Sequence, residues 1–326
     1  MLSEIKTKLA FTAIAVSALG ACQTTQSTGG SMESSVMPST IEYDGKEIVK
    51  NNIHELPGYA NYMQLNPMKS QVPSYDGKGL LAVSWNPSPD TFNNPTYVIM
   101  HGGHGVGRGM WIKAKELRKR YNANVLLLDS FKARGLPNNW HRGAKADAIV
   151  RTFDVIAIGK WLKVQGTDPK KTYMMGGSQG GWTTLKAMSA EPTQIAEVKP
   201  LYAGGVAYYP VCDNYNREGN LRPEQRFISL AEKGFWGPVL LLTGKKDFAT
   251  RIEDCQQTVV KHATKHVSFE RGTHGWEIRW RENGEMNKDG SCRWSGNRNF
   301  KTCYDEDHTE KMYVEIGQFT TKTTEK

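Results

Sequence analysis

The chain lacks the marks of several large protein classes. Hydrophobic residues make up only 38% of its 326 positions, and the apolar run near the N-terminus, Leu9 to Leu19, is too short to span a bilayer comfortably. Nothing in this composition suggests a polytopic membrane protein. No internal repeat is present, so the core must come from one continuous arrangement of elements. Lys and Arg number 42 against 33 Asp and Glu, for a net charge of +9, yet no nucleic-acid motif accompanies that charge. The basic residues are scattered, and their densest group, Lys113 to Arg120, reads as a solvated helix face. Nucleic acid is not an expected partner. His262 and His266 are four apart, but His266 reads as the start of a strand, so neither a metal nor another cofactor is expected.

What is present begins with Lys6 and Lys8, a short basic start ahead of the apolar run, which is the build of a secretory signal. The run ends in Leu19-Gly20-Ala21-Cys22. That tetrapeptide resembles the bacterial lipobox, in which the signal is cut before the cysteine and the cysteine carries lipid. The resemblance implies a signal peptide over 1–21, lipidation at Cys22, and an anchor in the cell envelope. The Gln23 that follows, in place of Asp, implies the outer membrane. Residues 22–40, rich in Gln, Thr, Ser and Gly, read as a flexible tether. Setting Cys22 aside leaves four cysteines, and in an exported chain an even remainder suggests two disulfides with three connectivities. The favoured pairs are Cys292–Cys303, a local loop, and Cys212–Cys255, a longer one. On the chain-entropy model they contribute about 3 and about 4 kcal/mol.

The remainder, 41–326, reads as a single α/β domain. Short apolar runs at Gly79–Trp85, Thr96–Met100, Val125–Asp129, Lys171–Met175, Leu201–Tyr209, Pro238–Thr243 and His266–Glu270 have the length of buried strands. Helical stretches fall between them at Met110–Tyr121, Ala144–Val164, Trp182–Ala190 and Glu253–Thr264. This rhythm predicts a mostly parallel, doubly wound sheet with helices on both faces. Residues 279–304, rich in Arg, Asn, Gly and Trp, read as a covering loop, and Asp305–Phe319 as a closing helix.

Within that rhythm, Gly176-Gly177-Ser178-Gln179-Gly180-Gly181 lies between a strand and a helix. A G-x-S-x-G in this place predicts a nucleophile elbow that exposes the serine hydroxyl above the sheet. A serine hydroxyl is nearly unreactive alone, so it needs a base and an acid to orient the base. Asp247 follows the run ending at Thr243, and His274 follows the run ending at Glu270. Both stand on loops after strands, in the order Ser, Asp, His. The oxyanion donors expected are the amide of Gln179 and one from the turn His101-Gly102-Gly103-His104-Gly105, with Gly103 favoured over Gly102 and His104. His101 reads as a structural residue bonded to the loop backbone.

These residues resemble the dienelactone hydrolase-like branch of the α/β-hydrolases. The likeness is carried by His101-Gly102-Gly103, Asp129-Ser130-Phe131 with Arg134-Gly135, the elbow, Leu240–Asp247 and Gly272–Gly275. It covers about two thirds of the chain, residues 79–275. It implies the α/β-hydrolase fold with Ser178 as nucleophile, His274 as base and Asp247 as acid. Dienelactone hydrolase proper uses cysteine as nucleophile and has no lipid anchor, so fold and triad are implied more firmly than substrate. The expected activity is serine ester hydrolysis on a small-molecule or saccharide-linked ester. A peptidase of prolyl-oligopeptidase-like type and a non-catalytic binding lipoprotein are the alternatives. Trp140, Trp182, Trp236, Trp276, Trp280 and Trp294 lie near loops or the elbow, where packing is the commoner role for tryptophan. Arg134 and Arg142 are candidates to meet an anionic substrate.

Overall fold

A computed structural model of the chain describes residues 40–43, 46–49, 68–73, 80–136, 148–189, 196–212, 234–256, 259–279, 284–289, 291–293 and 302–324. Cys22, the signal and tether, Trp140, Arg142, Trp280 and Trp294 lie outside the described residues. The chain divides into two compact units, residues 1–53 and 54–326. In the first, strands β1 (Thr40–Tyr43) and β2 (Lys46–Val49) pair as an antiparallel hairpin.

The second unit is built on an eight-stranded sheet. Its strands are β3 (Met68–Pro73), β4 (Leu80–Asn86), β5 (Thr96–Met100), β6 (Asn124–Asp129), β7 (Thr172–Ser178), β8 (Gly204–Pro210), β9 (Val239–Gly244) and β10 (Lys265–Phe269). They lie in the order β10-β9-β8-β7-β5-β6-β4-β3. From β6 to β10 the pairings are parallel, and β4 runs antiparallel to both β3 and β6. The expected mostly parallel sheet is present.

The central strands are buried on both faces, and their side chains divide by alternation between two cores. From β5, Tyr97 and Ile99 join one core with Met110, Ala114 and Leu117 of α1 (Arg108–Tyr121), spaced to share one helix stripe. Met312, Tyr313, Ile316 and Phe319 of the C-terminal helix Glu306–Thr324 close that core. Val98 and Met100 face the opposite core, with Val155 and Ile158 of α2 (Ala148–Val164) and Trp182 and Leu185 of α3 (Gln179–Met188). Helices therefore cover both faces. The chain leaves β5 for β6 on one side and comes back to β7 on the other, so the turns after β5 and β7 meet at a topological switch point. Crevices open at the carboxyl ends of strands in such a place.

Several expected elements differ in extent. The helix expected over Glu253–Thr264 is one short piece, Ile252–Gln256. Beyond it, the Val259 and Val260 N–H groups both meet the Cys255 carbonyl and the Ala263 N–H meets that of Val259, so single turns stand where helix was expected. Parts of the expected covering loop form short strands, β11 (Gly284–Met286), β12 (Cys292–Arg293) and β13 (Cys303–Tyr304), in a small separate sheet. Lys113 is not on a solvated face: it is buried among the core side of α1. Its companions Arg118 and Arg120 are engaged too, Arg118 with the carbonyls of Asn86 and Pro87, Arg120 with Glu116 and Glu310. Both favoured disulfides are formed, Cys212–Cys255 with Cα atoms 5.0 Å apart and Cys292–Cys303 at 6.0 Å.

The tightest packing lies where β7 enters α3. A Cβ on Gly176 would sit 2.4 Å from the carbonyl carbon of Gly180, and one on Gly180 would sit 2.2 Å from the carbonyl oxygen of Met100. Backbone meets backbone there, with no flexible side chain to yield. Gly180→Ala is expected to cost roughly 3 kcal/mol or more by overpacking and to lower Tm by roughly 6–12 °C. Thermal unfolding followed by circular dichroism measures this, and an unchanged Tm would contradict the close approach.

Candidate active site

Ser178 ends β7 and caps α3 with φ 55° and ψ −121°. An L side chain rarely adopts this conformation, which costs of order 1–3 kcal/mol and persists only where surroundings enforce it. The enforcement is the glycine packing just described, together with a register shift against β8 at Gly177/Ser178. Gln179 is the first residue of α3, so its N–H is among those a helix cannot satisfy internally. It lies where an anion is favoured by the helix dipole.

Asp247 and His274 stand on the loops after β9 and β10. Their two loops pack through glycine, since a Cβ on Gly244 would lie 2.3 Å from the carbonyl oxygen of Gly272. Asp247 is buried, and its Oδ1 accepts the N–H groups of Ala249 at 2.8 Å and Thr250 at 2.9 Å. Its Oδ2 faces the Thr250 hydroxyl at 2.8 Å and Nδ1 of His274 at 2.9 Å. A carboxylate can only accept, so Nδ1 carries the proton and Nε2 is left with its lone pair. Burial pulls the His274 pKa down. The charge and hydrogen bond of Asp247, aided by Glu277, outweigh that and raise it above the ordinary 6.5.

Tyr209 lies between this pair's loops and Gly177 of the elbow. Its ring centroid lies 4.7 Å from that of His274, and a Cβ on Gly177 would lie 2.7 Å from its Cε2. Its carbonyl faces the Thr250 hydroxyl at 2.9 Å. Gly177 of the elbow and the His274 imidazole thus both meet the Tyr209 ring, while the Asp247 loop is tied to the Tyr209 backbone.

On the other side of Ser178 lies the turn after β5, where a Cβ on Gly102 would be 3.5 Å from that of Ser178. His101, fully buried, donates from Nδ1 to the Gly102 carbonyl at 2.7 Å and accepts the Ser130 N–H at Nε2, 3.1 Å away. Both ring nitrogens serve the backbone, as expected of a structural histidine. Burial and the charge of Arg151 hold its pKa well below 6.5. The Gly102 carbonyl also receives the Gly105 N–H. Because a trans peptide sets C=O and N–H on opposite sides, the Gly103 N–H points away from these inward bonds.

Other candidates are placed differently. Arg134 forms a two-pronged pair with Asp154 at 2.9 and 2.7 Å and is not open to a substrate anion. Trp182 and Trp276 are buried in the two cores, and Trp236 donates to the Ala187 carbonyl, so these three serve packing. His266 lies in β10 with Nε2 2.8 Å from the Thr243 hydroxyl. Among the described residues no cluster of His, Cys, Asp and Glu could hold a metal. Sequence reasoning missed Thr250, Tyr209, Glu277 and Lys113. Only Lys113 left a signal, a lysine at the i+3 position of the Met110, Ala114, Leu117 stripe.

No protein-family model matches the chain, and no curated protein sequence matches it either. Solved structures do. A candidate dienelactone hydrolase of Klebsiella pneumoniae aligns over 78% of this chain and 98% of its own, at 16% identity and a TM-score of 0.56. The acylaminoacyl peptidase of Pyrococcus horikoshii aligns over 65% of this chain at 15% identity and a TM-score of 0.50, and this chain spans only 38% of that one. With the strand order above, these likenesses give the chain the α/β-hydrolase fold.

The carboxylate partnership of His274 is open to direct measurement. Its imidazole is expected to titrate above pH 6.5 by NMR, and Asp247→Asn to lower that midpoint. A wild-type midpoint below 6.5 would contradict the geometry.

Proposed function

We propose that this α/β-hydrolase-fold protein is a serine ester hydrolase acting through Ser178, His274 and Asp247. The observation that carries the reading is the Asp247–His274 pair, with its Nε2 left free, converging with the strained Ser178 turn on Tyr209. Ser178 Oγ attacks the ester carbonyl carbon while His274 Nε2 takes the hydroxyl proton, and Asp247 stabilises the imidazolium that forms. The N–H groups of Gln179 and Gly103 receive the oxyanion, each such donor contributing on the order of 3 kcal/mol in related chemistry. As the tetrahedral intermediate collapses, the C–O bond breaks and the alcohol leaves with the proton from His274. Water then attacks the acyl-enzyme with His274 again as base, freeing the acid and restoring Ser178. No step requires a metal or other cofactor.

A fluorophosphonate probe is expected to label the protein at Ser178 and to leave Ser178→Ala unlabelled. Labelling that survives the substitution would remove the proposal. The peptidase reading draws on the peptidase among the structural likenesses. A panel of acetyl, feruloyl and longer acyl esters, run against matched amides, separates the two. Turnover of esters well above amides is expected. Turnover of neither, with Ser178 unlabelled, would favour a binding lipoprotein.

The envelope location is proposed from the basic start at Lys6 and Lys8, the apolar run Leu9 to Leu19 and the Leu19-Gly20-Ala21-Cys22 that ends it. Mass spectrometry of the mature protein is expected to find its N-terminus at an acylated Cys22. A mature N-terminus elsewhere would remove the anchor.

A further inference from the structure

Behind His274 lies a buried polar cluster that the mechanism above does not use. Glu277, three residues after His274, and Lys113 of α1 form an ion pair of 2.6 Å with both side chains almost wholly buried. The Tyr209 hydroxyl donates to the same Glu277 Oε1 at 2.5 Å. Lys113 Nζ also stands over the Tyr208 ring, 4.0 Å from its centroid. The second carboxylate oxygen, Oε2, is buried without a hydrogen-bond partner. Tyr209 itself has φ 35°, in the left-handed region unfavourable to a tyrosine.

Stability does not account for this arrangement. Burying two charges is costly, and replacing such a pair by apolar residues of similar volume is often neutral or stabilising. An unpaired carboxylate oxygen and a strained tyrosine add to the cost. What the cluster does secure is the ring of Tyr209, which packs against both His274 and Gly177 of the elbow.

We propose that Glu277, locked in place by Lys113 and gripping the Tyr209 hydroxyl, is a positioning residue that sets the His274 imidazole against Ser178. This rests on the reading of His274 as the base. Glu277 and Lys113 touch no substrate and act through Tyr209 and through their charge. The groups gathered around the His274 turn are Asp247 from the loop after β9, Tyr208 and Tyr209 from β8, Lys113 from α1 and Glu277 from the turn itself. Arg271, Asp305 and His308 form a separate cluster, joined to the turn where the Asp305 N–H meets the Trp276 carbonyl. Of these, Glu277 is the anion that reinforces Asp247 in favouring the charged imidazole.

The test uses the whole protein with Glu277→Gln and the charge-free double variant Lys113→Met/Glu277→Gln. In Glu277→Gln the NMR titration of His274 is expected to move to lower pH, because an anion that favours the imidazolium is gone while Lys113 remains; in the double variant the cation leaves with the anion, and kcat is the deciding readout. On an ester substrate kcat is expected to fall about tenfold or more with KM nearly unchanged, as misplacement of a catalytic group produces. The double variant should keep or exceed the wild-type Tm, since it leaves no unpaired buried charge. If Glu277→Gln fails to fold, the double variant decides alone. A change of Tm with kcat and the His274 titration at wild-type values would overturn the proposal and leave the pair a structural feature only. The titration is read without substrate, so it tests the coupling even if fluorophosphonate fails to label Ser178, which would instead remove the hydrolase reading.

Discussion

The site depends on one steric constraint: the end of β7, the start of α3 and the turn after β5 approach one another with backbone in contact. At Gly180 there is no room for a methyl group beside the Met100 carbonyl oxygen, and at Gly176 none beside Gly180. That approach forces the chain to reverse within a residue, and Ser178 takes the strained conformation that results. The same reversal starts α3 immediately after the serine, so the Gln179 N–H has no helical partner. The strained serine and the unsatisfied N–H beside it are thus two consequences of one packing event. The position of the β5 turn follows as well, since Gly102 rests against Ser178 from the other side.

How far this was legible in the sequence follows from what each part is made of. The central strands are buried on both faces, so they appear as unbroken apolar runs, and Thr96–Met100 is recovered to the residue. Ser178 ends such a strand and Asp247 follows one, whereas His274 follows the half-buried edge strand β10, whose place was marked by its order after them. Edge strand β3, Met68–Pro73, was not legible: of its six residues only Val72 is buried, and the rest carry no alternation to read. Lys113 was assigned to solvent because charge normally belongs there. Its place inside is decided by Glu277, 164 residues away, and no local pattern carries that partnership. Thr250 and Tyr209 were invisible for the same reason, since their roles lie in bonds to other loops.

The polar groups form a continuous path through the loops. Asp247 holds His274, Thr250 links Asp247 to the Tyr209 backbone, and the Tyr209 hydroxyl reaches Glu277, which Lys113 neutralises. Apart from the Thr250–Asp247 bond, which lies within one loop, the links join segments that are distant in the chain. A displacement of any one loop therefore strains the hydrogen bonds of the next, which is how a set of loops acquires the precision of regular structure.

Such a path stores unfavourable terms. The left-handed backbone of Tyr209 costs of order 1–3 kcal/mol, and the buried carboxylate adds desolvation that its single cation offsets incompletely. The Cys212–Cys255 disulfide closes across the same place: Cys212 lies three residues after Tyr209 and Cys255 five after Thr250, and its sulfur packs at the Pro210 carbonyl. With a sequence separation of 43, the bridge contributes about 4 kcal/mol by restricting the unfolded chain. That is comparable with the strain at these segments, and it acts on the two loops whose separation would break the Thr250–Tyr209 bond. The covalent tie and the strained site are therefore coupled by position. The bridge stabilises the geometry that the loops, with their own hydrogen bonds alone, would hold at a cost.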